Sequence, residues 1–237
     1  MSEDTITITI DGQEIQAKAG QTILEAADAA GVYIPRLCYY KDLPPGGHCR
    51  VCTVLVNGRP ASACTFPVSA GQVIENNTES LTVTRRGLIE MLFVEGNHFC
   101  PSCEKSGDCK LQATAYELGM VSAHFEHFFP SRPIDASHPD LLLDFNRCIL
   151  CSLCVRTSRD VDGKNVFALS ERGIKTRLIV NAESGLLADT NFSADDMAAH
   201  VCPVGVILRK RTGFAVPIGQ RTYDIQPISA MPQPKAE

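Results

Sequence analysis

Threonine and isoleucine alternate without a break from Thr5 to Ile10, a two-residue period that puts the isoleucines on one face of a strand. Asp11-Gly12 follows, a pair suited to a tight turn, and "QEIQAKA" returns as a second strand, so residues 5–19 predict a hairpin. Past Gly20 the period changes. In "QTILEAADAAGV" Ile23, Leu24 and Ala27 share a helical face, and Gly31 offers a left-handed stop. A strand at 53–56, an Asn57-Gly58 turn and a further strand near Val73 complete the pattern of a β-grasp sheet.

The middle of the chain reads as helix. Leu88, Met91 and Leu92 stand at helical spacing within 85–95, and Leu111, Ala115 and Leu118 do the same within 110–120. Residues 121–140 mix aromatics, His and Pro without a period and read as a linker. A hairpin is predicted in "VFALSERGIKTRLIV", and a helix in "SADDMAAHVCP" with a Ser193 to Asp196 capping box. From 213 the chain carries Pro217, Pro227, Pro232 and Pro234 with no period, a composition expected to be held by another chain.

The expected fold class is therefore α+β. Residues 1–80 form an N-terminal β-grasp domain, 81–120 a helical segment, 121–140 a linker, 141–212 a small ferredoxin-like domain and 213–237 a partner-bound tail.

Composition changes this picture at one point. The formal charge of −5 argues against a general nucleic-acid binder, and the short basic run Arg209, Lys210, Arg211 reads as a solvated face. No basic and apolar leader opens the chain and no apolar run reaches membrane-spanning length, so a cytoplasmic protein is expected, with neither membrane nor nucleic acid among its partners. The 11 cysteines are an odd number, which fits a disulfide framework poorly and metal binding in a reducing compartment well.

They divide into three sets with none left over. Cys38, Cys49, Cys52 and Cys64 lie around the loop "CYYKDLPPGGHCRVC" and the following strand, which suits a [2Fe-2S] rhomb; four thiolates also suit structural zinc. Cys100, Cys103 and Cys109 leave a four-iron cube one ligand short, and His98 is the nearest side chain able to complete it as a [4Fe-4S] site. A three-iron cluster without His98, or a zinc site of three Cys and one His, are the alternatives, with His124 and His127 as reserve ligands. Cys148, Cys151 and Cys154 in "RCILCSLCVR", completed by Cys202 in "HVCPVG", form a second [4Fe-4S] set. The position that would give a two-cube ferredoxin its next cysteine is Ser158, so one cube is expected here.

No nucleotide-binding glycine motif and no nucleophile constellation is visible, so no catalytic residue is expected on this chain. Several one-electron centres without a substrate site read as a wire between partners.

The order of these motifs over residues 1–225 resembles the N-terminal part of the iron-sulfur subunit of respiratory complex I. It is more similar still to the small diaphorase subunit of cytoplasmic NAD-reducing [NiFe] hydrogenases, whose length it shares. The resemblance implies an oxidoreductase subunit relaying electrons through one [2Fe-2S] and two [4Fe-4S] clusters. Its implied partners are an FMN- and NAD-binding diaphorase large subunit and [NiFe] hydrogenase small and large subunits, for H2 + NAD+ = NADH + H+. The equivalent subunit of an NAD-dependent formate dehydrogenase or a complex I-like module is the nearest alternative, and a zinc or redox-sensing adaptor a more distant one. The sequence departs from the complex I pattern once: the position four residues before Cys100, where that family places its ligand histidine, is Gly96.

Overall fold

The computed structural model describes residues 5–231, which divide into two compact units. The first takes the chain through Ile89, with Thr114–Val121 and the residues from Gln226; the second takes Glu90–Ala113 and Ser122–Ile225.

In the first unit β1 (Thr5–Ile10) pairs antiparallel with β2 (Gln13–Lys18), as the alternation predicts, and Asp11 and Gly12 both take positive φ, 48° and 84°, at the turn. Helix α1 (Ile23–Ala29) begins in a reciprocal capping box between Thr22 and Glu25, and Gly31 takes the left-handed conformation at its end. β3 (Thr53–Val56) and β4 (Arg59–Ser62) flank Asn57-Gly58, again both at positive φ, and β5 (Val73–Glu75) inserts between β1 and β3. The sheet order β2-β1-β5-β3-β4 has one parallel pair, β1 with β5, which makes it a β-grasp sheet. Ile8, Ile10, Ile15, Val54 and Ile74 from its inner face pack with Ile23, Leu24 and Ala27 of α1 in one core.

Helix α2 (Glu79–Val94) starts six residues before the predicted 85. Thr78 supplies the start, its hydroxyl accepting the Leu81 N–H at 3.3 Å. Its buried stripe also differs from the predicted one: Leu81, Arg85, Ile89, Glu90 and Val94 are buried, while Met91 is exposed. A pattern of apolar residues alone misses a stripe that passes through an arginine and a glutamate. Helix α3 (Lys110–Glu117) buries Leu111 and Ala115 as predicted and ends at Gly119, φ 66°.

In the second unit the stretch read as linker supplies β6 (Ile134–Asp135), which pairs with β7 (Leu141–Asp144). Its buried His138 is fully employed: Nδ1 accepts the N–H groups of Asp140 and Leu141, and Nε2 lies 3.1 Å from Phe192 O. Helix α4 (Leu153–Asp160) leads to the predicted hairpin, β8 (Phe167–Ser170) with β9 (Arg177–Val180). Helix α5 (Met197–His200) is a single turn, and its first N–H groups bond to the carboxylate of Asp162 at 2.9 and 3.0 Å. Half of the predicted capping box forms: the Asp196 carboxylate accepts Ser193 N–H at 2.8 Å as well as Lys164 Nζ, while the Ser193 hydroxyl takes the N–H of Asp195 in place of that of Asp196. β10 (Ile207–Arg209) then joins the far edge of β7.

The described part of the tail makes its contacts within the chain. Around α6 (Thr222–Ile225), Tyr223 N–H donates to Gly107 O, Thr222 N–H to Asp108 Oδ1 and Arg221 Nη1 to Ser106 O. Further on, Ser229 Oγ donates to Glu117 in the first unit. Pro232 and Pro234 lie outside the described residues.

Candidate iron-sulfur sites

In the first site the thiols stand in two pairs. Cys38 is hydrogen-bonded to Cys49 and Cys52 to Cys64, side chain to side chain. The β3–β4 register causes the second pairing: Thr53 faces Ser62, so the flanking Cys52 and Ala63 meet, with Ala63 N–H on Cys52 O at 3.1 Å, and Cys64 follows. The first pairing comes from the loop, where Cys49 N–H reaches Cys38 Sγ at 3.4 Å and Arg50 takes φ 58° to turn the chain back toward Cys52. Within each pair one sulfur receives the hydrogen bond and is readied as thiolate: the Cys49 thiol lowers Cys38 to about 5, and the Cys64 thiol lowers Cys52 to about 7, while both donors are pushed up.

The second site gathers Cys100, Cys103 and Cys109. Cys100 opens a 3-10 turn that ends on Cys103, whose N–H donates to Cys100 O. Cys109 precedes α3, and the backbone N–H groups of Leu111 and Gln112 point at its sulfur. The Gln112 side chain ties the loop, bonding the Cys100 sulfur and accepting Gly107 N–H at 2.8 Å. Burial raises Cys100 and pushes Cys109 up to about 12, so a metal must displace a proton from each.

His98, two residues before Cys100, has its Nε2 buried and without a hydrogen-bond partner. Its ring packs edge-on against Phe93 at 5.4 Å. Burial first, and the Arg147 and Arg132 guanidiniums after it, hold the imidazole down to about 4, so it is neutral at pH 7 and offers a lone pair. Gly96 makes this placement possible. A Cβ there would stand 2.6 Å from His98 Nε2 and 2.9 Å from Asn146 O, so the ring occupies the space that any larger residue at 96 would fill. The sequence gives no signal for that exchange of space. The reserve histidines have other work: His124 Nδ1 lies 3.1 Å from both Glu90 carboxylate oxygens, and His127 stacks on Phe129.

The third site is a single apolar cavity. Cys148, Cys151, Cys154 and Cys202 all line it, with Ile149, Leu150, Leu169, Leu178, Val204 and Val206. Leu150 and Ser152 take positive φ, 53° and 57°, on either side of Cys151, and Leu150 N–H donates to Cys148 Sγ at 3.4 Å. Burial pushes Cys148 up to about 11 and Cys154 well above its ordinary value. Ser158, one turn beyond Cys154, is fully buried and its hydroxyl accepts Val166 N–H at 2.9 Å, a structural task at the entry to β8. The segment after Cys202 runs against the second site: Pro203 O accepts Lys110 N–H, and a Cβ on Gly205 would lie 3.1 Å from Cys103 Sγ.

Among the described residues no three His, Cys, Asp or Glu side chains close on one point as around a single ion. The distribution of donors fits clusters that bring their own sulfides. Two thiol pairs match two irons, four thiols line one apolar cavity, and the three-thiol set is preceded in the chain by a buried imidazole whose Nε2 has no partner.

A β-grasp domain, a helical segment and a small ferredoxin-like domain, each carrying one thiol-rich site, define an iron-sulfur protein. Family models agree along the chain: a 2Fe-2S iron-sulfur cluster binding domain matches residues 3–79, the NADH-ubiquinone oxidoreductase-G iron-sulfur binding region matches 85–124, and a 4Fe-4S single cluster domain matches 141–208. The chain is 45% identical over 227 residues to the NAD-reducing hydrogenase HoxS subunit gamma of Cupriavidus necator, covering 95% of this chain and 96% of that one. It belongs to that family of hydrogenase subunits. A chain in the crystal structure of an NAD+-reducing [NiFe]-hydrogenase in the H2-reduced state superposes with TM-score 0.93 and 52% identity over 95% of this chain and 96% of that chain. The mitochondrial NADH-ubiquinone oxidoreductase 78 kDa subunit of Candida albicans is 32% identical over 88% of this chain, which spans 29% of that longer protein.

Proposed function

We propose that this chain is the electron relay of an NAD-reducing hydrogenase, joining a [NiFe] module to an FMN- and NAD-binding diaphorase subunit in the cytoplasm. The observation that carries this is the match along almost the whole length of both chains to a hydrogenase subunit, against about a quarter to a third of the complex I relatives. Among the described residues no helix is long and apolar enough to cross a membrane.

In this reading Cys38, Cys49, Cys52 and Cys64 hold a [2Fe-2S] cluster. His98, Cys100, Cys103 and Cys109 hold one [4Fe-4S] cluster, and Cys148, Cys151, Cys154 and Cys202 the other. The clusters supply one-electron carriers when bound. The chain's own residues do the rest. Backbone N–H groups at Cys49 and Leu150 and at the start of α3 point at sulfur and stabilise thiolate charge. The apolar lining of the third site keeps water from its sulfurs. A neutral imidazole in place of a thiolate leaves the second site one negative charge poorer, which favours its reduced form.

The test is purification of the native assembly. Copurification with nickel- and flavin-containing subunits, about ten irons per chain by the cluster count above, and H2-dependent NAD+ reduction are expected. Zinc in place of iron sinks the relay, and a molybdenum-containing partner in place of nickel points to the formate dehydrogenase alternative.

A further inference from the structure

Arg85 is buried in the first unit, 3% exposed, at the centre of the inner stripe of α2. Its Nη1 donates to Asn76 O at 2.9 Å, and its Nη2 to Asn76 Oδ1 at 2.8 Å and to Thr53 O at 2.7 Å. The Nε is buried with no partner. Every acceptor is neutral, and among the described residues no carboxylate lies within ion-pair distance of it. The one carboxylate that acts on it, Asp11, already accepts the Asn76 and Asn77 N–H groups at 2.7 and 3.1 Å.

An arginine does not shed its proton to escape burial, because its side chain stays charged at any pH a protein survives. A fully buried cation without a counter-charge is costly. Negative charge must therefore reach Arg85 from elsewhere, and the site beside it supplies a candidate. Thr53, whose carbonyl it grips, directly follows Cys52, and the Cys52 sulfur is the anion that acts on the guanidinium most strongly.

We infer that Arg85 is the buried counter-cation of the Cys38, Cys49, Cys52, Cys64 site, a positioning residue that sets the reduction potential of the cluster held there. This rests on the [2Fe-2S] assignment above. Four thiolates and two sulfides around two ferric ions carry a net charge of about −2, and reduction adds one more negative charge. A fixed cation attracts the reduced form more strongly than the oxidised one and so raises the potential. The donors of Arg85 grip the strand start at Thr53 and the turn at Asn76, which holds the charge at a fixed place relative to Cys52.

The experiment is an EPR-monitored redox titration of the complete assembly carrying Arg85→Met, Arg85→Lys or Asn76→Asp. Arg85→Met is expected to lower the [2Fe-2S] midpoint so that the reduced-to-oxidised ratio at a fixed potential falls about tenfold, about 59 mV for one electron. Arg85→Lys, which keeps the charge, holds the midpoint nearer the wild type. Asn76→Asp leaves the arginine in place but gives it a carboxylate partner, so it also lowers the midpoint. Both four-iron midpoints stay where they were.

Unmoved midpoints in Arg85→Met and Asn76→Asp overturn the inference, as do equal shifts in the Met and Lys variants. If Arg85→Met fails to load the cluster, Asn76→Asp decides: an unchanged midpoint overturns the inference and a lowered one supports it. A wild-type assembly without any [2Fe-2S] signal instead sinks the cluster assignment itself.

Discussion

On the proposed ligand sets, the first and second sites place four donors around a small volume by opposite means. In the first, all four come from residues 38–64, and one hairpin register and one loop turn set their separations. In the second, the thiols sit around a 3-10 turn and the start of α3, while His98, the proposed fourth donor, has its place only because Gly96 leaves room for a ring. A site built by local register resists distant change; one built by packing is exposed to it.

The largest expected effect tests that difference at its weakest donor. Replacing His98 with Ala removes the one buried imidazole whose Nε2 has no other partner. One [4Fe-4S] signal is lost or converted to a three-iron signal in EPR, with the [2Fe-2S] and the other cube retained. An unchanged spectrum sinks His98 as ligand, and loss of all three signals sinks the independence of the sites.

Gly96→Ala is the second test. Its new methyl overlaps the His98 ring and the Asn146 carbonyl, and overpacking of this kind costs about 1–3 kcal/mol. The expected result is the His98→Ala spectrum in partial form, with lower occupancy of the same cube. An alanine at the corresponding loop of the first site has no such reach: at Gly47 it would meet only the Thr65 side chain at 3.3 Å, although its φ of 64° makes that change strained too.

This division explains what was legible in the sequence. The isoleucine alternation of β1 and the Asp11-Gly12 and Asn57-Gly58 turns depend on neighbours in the chain, and each was readable there. The early start of α2 and its arginine-bearing stripe were hidden, since burial of Arg85 depends on Thr53 and Asn76 rather than on its own polarity. The cap of α5 comes from Asp162, 35 residues before Met197, and no local pattern announces it. Room for His98 at Gly96 belongs to the same class.

Arg147 sharpens the comparison in electrostatic terms. Like Arg85 it is near a sulfur, Cys103, but its Nε pairs with Asp144 at 2.8 Å and its Nη1 with Glu104 at 3.1 Å. Two carboxylates spend its charge. Arg147→Gln is therefore expected to move the midpoint of the second site less than Arg85→Met moves that of the first, by the same titration. A larger shift at the second site would mean that ion-paired cations tune these clusters as strongly as unpaired ones.

The smallest effect is expected at the tail, whose Arg221 bonds to the backbone of the loop beside the second site. Arg221 holds the loop between Cys103 and Cys109 through Ser106 O and is itself fixed by Asp224, 2.6 Å from its Nε. The Arg221 hydrogen bond pulls the Asp224 carboxyl down to about 2. A depressed carboxyl contributes its stability above its ordinary value of 3.8 and loses it as pH falls toward 2, so this clasp is intact across the neutral range. Arg221→Ala should release it at every pH. Hydrogen exchange at Tyr223, whose N–H bonds to Gly107 O, then quickens while iron content and all three EPR signals stay unchanged. Loss of the second cube in this variant would show that the tail belongs to the site, and that packing there extends further than the imidazole.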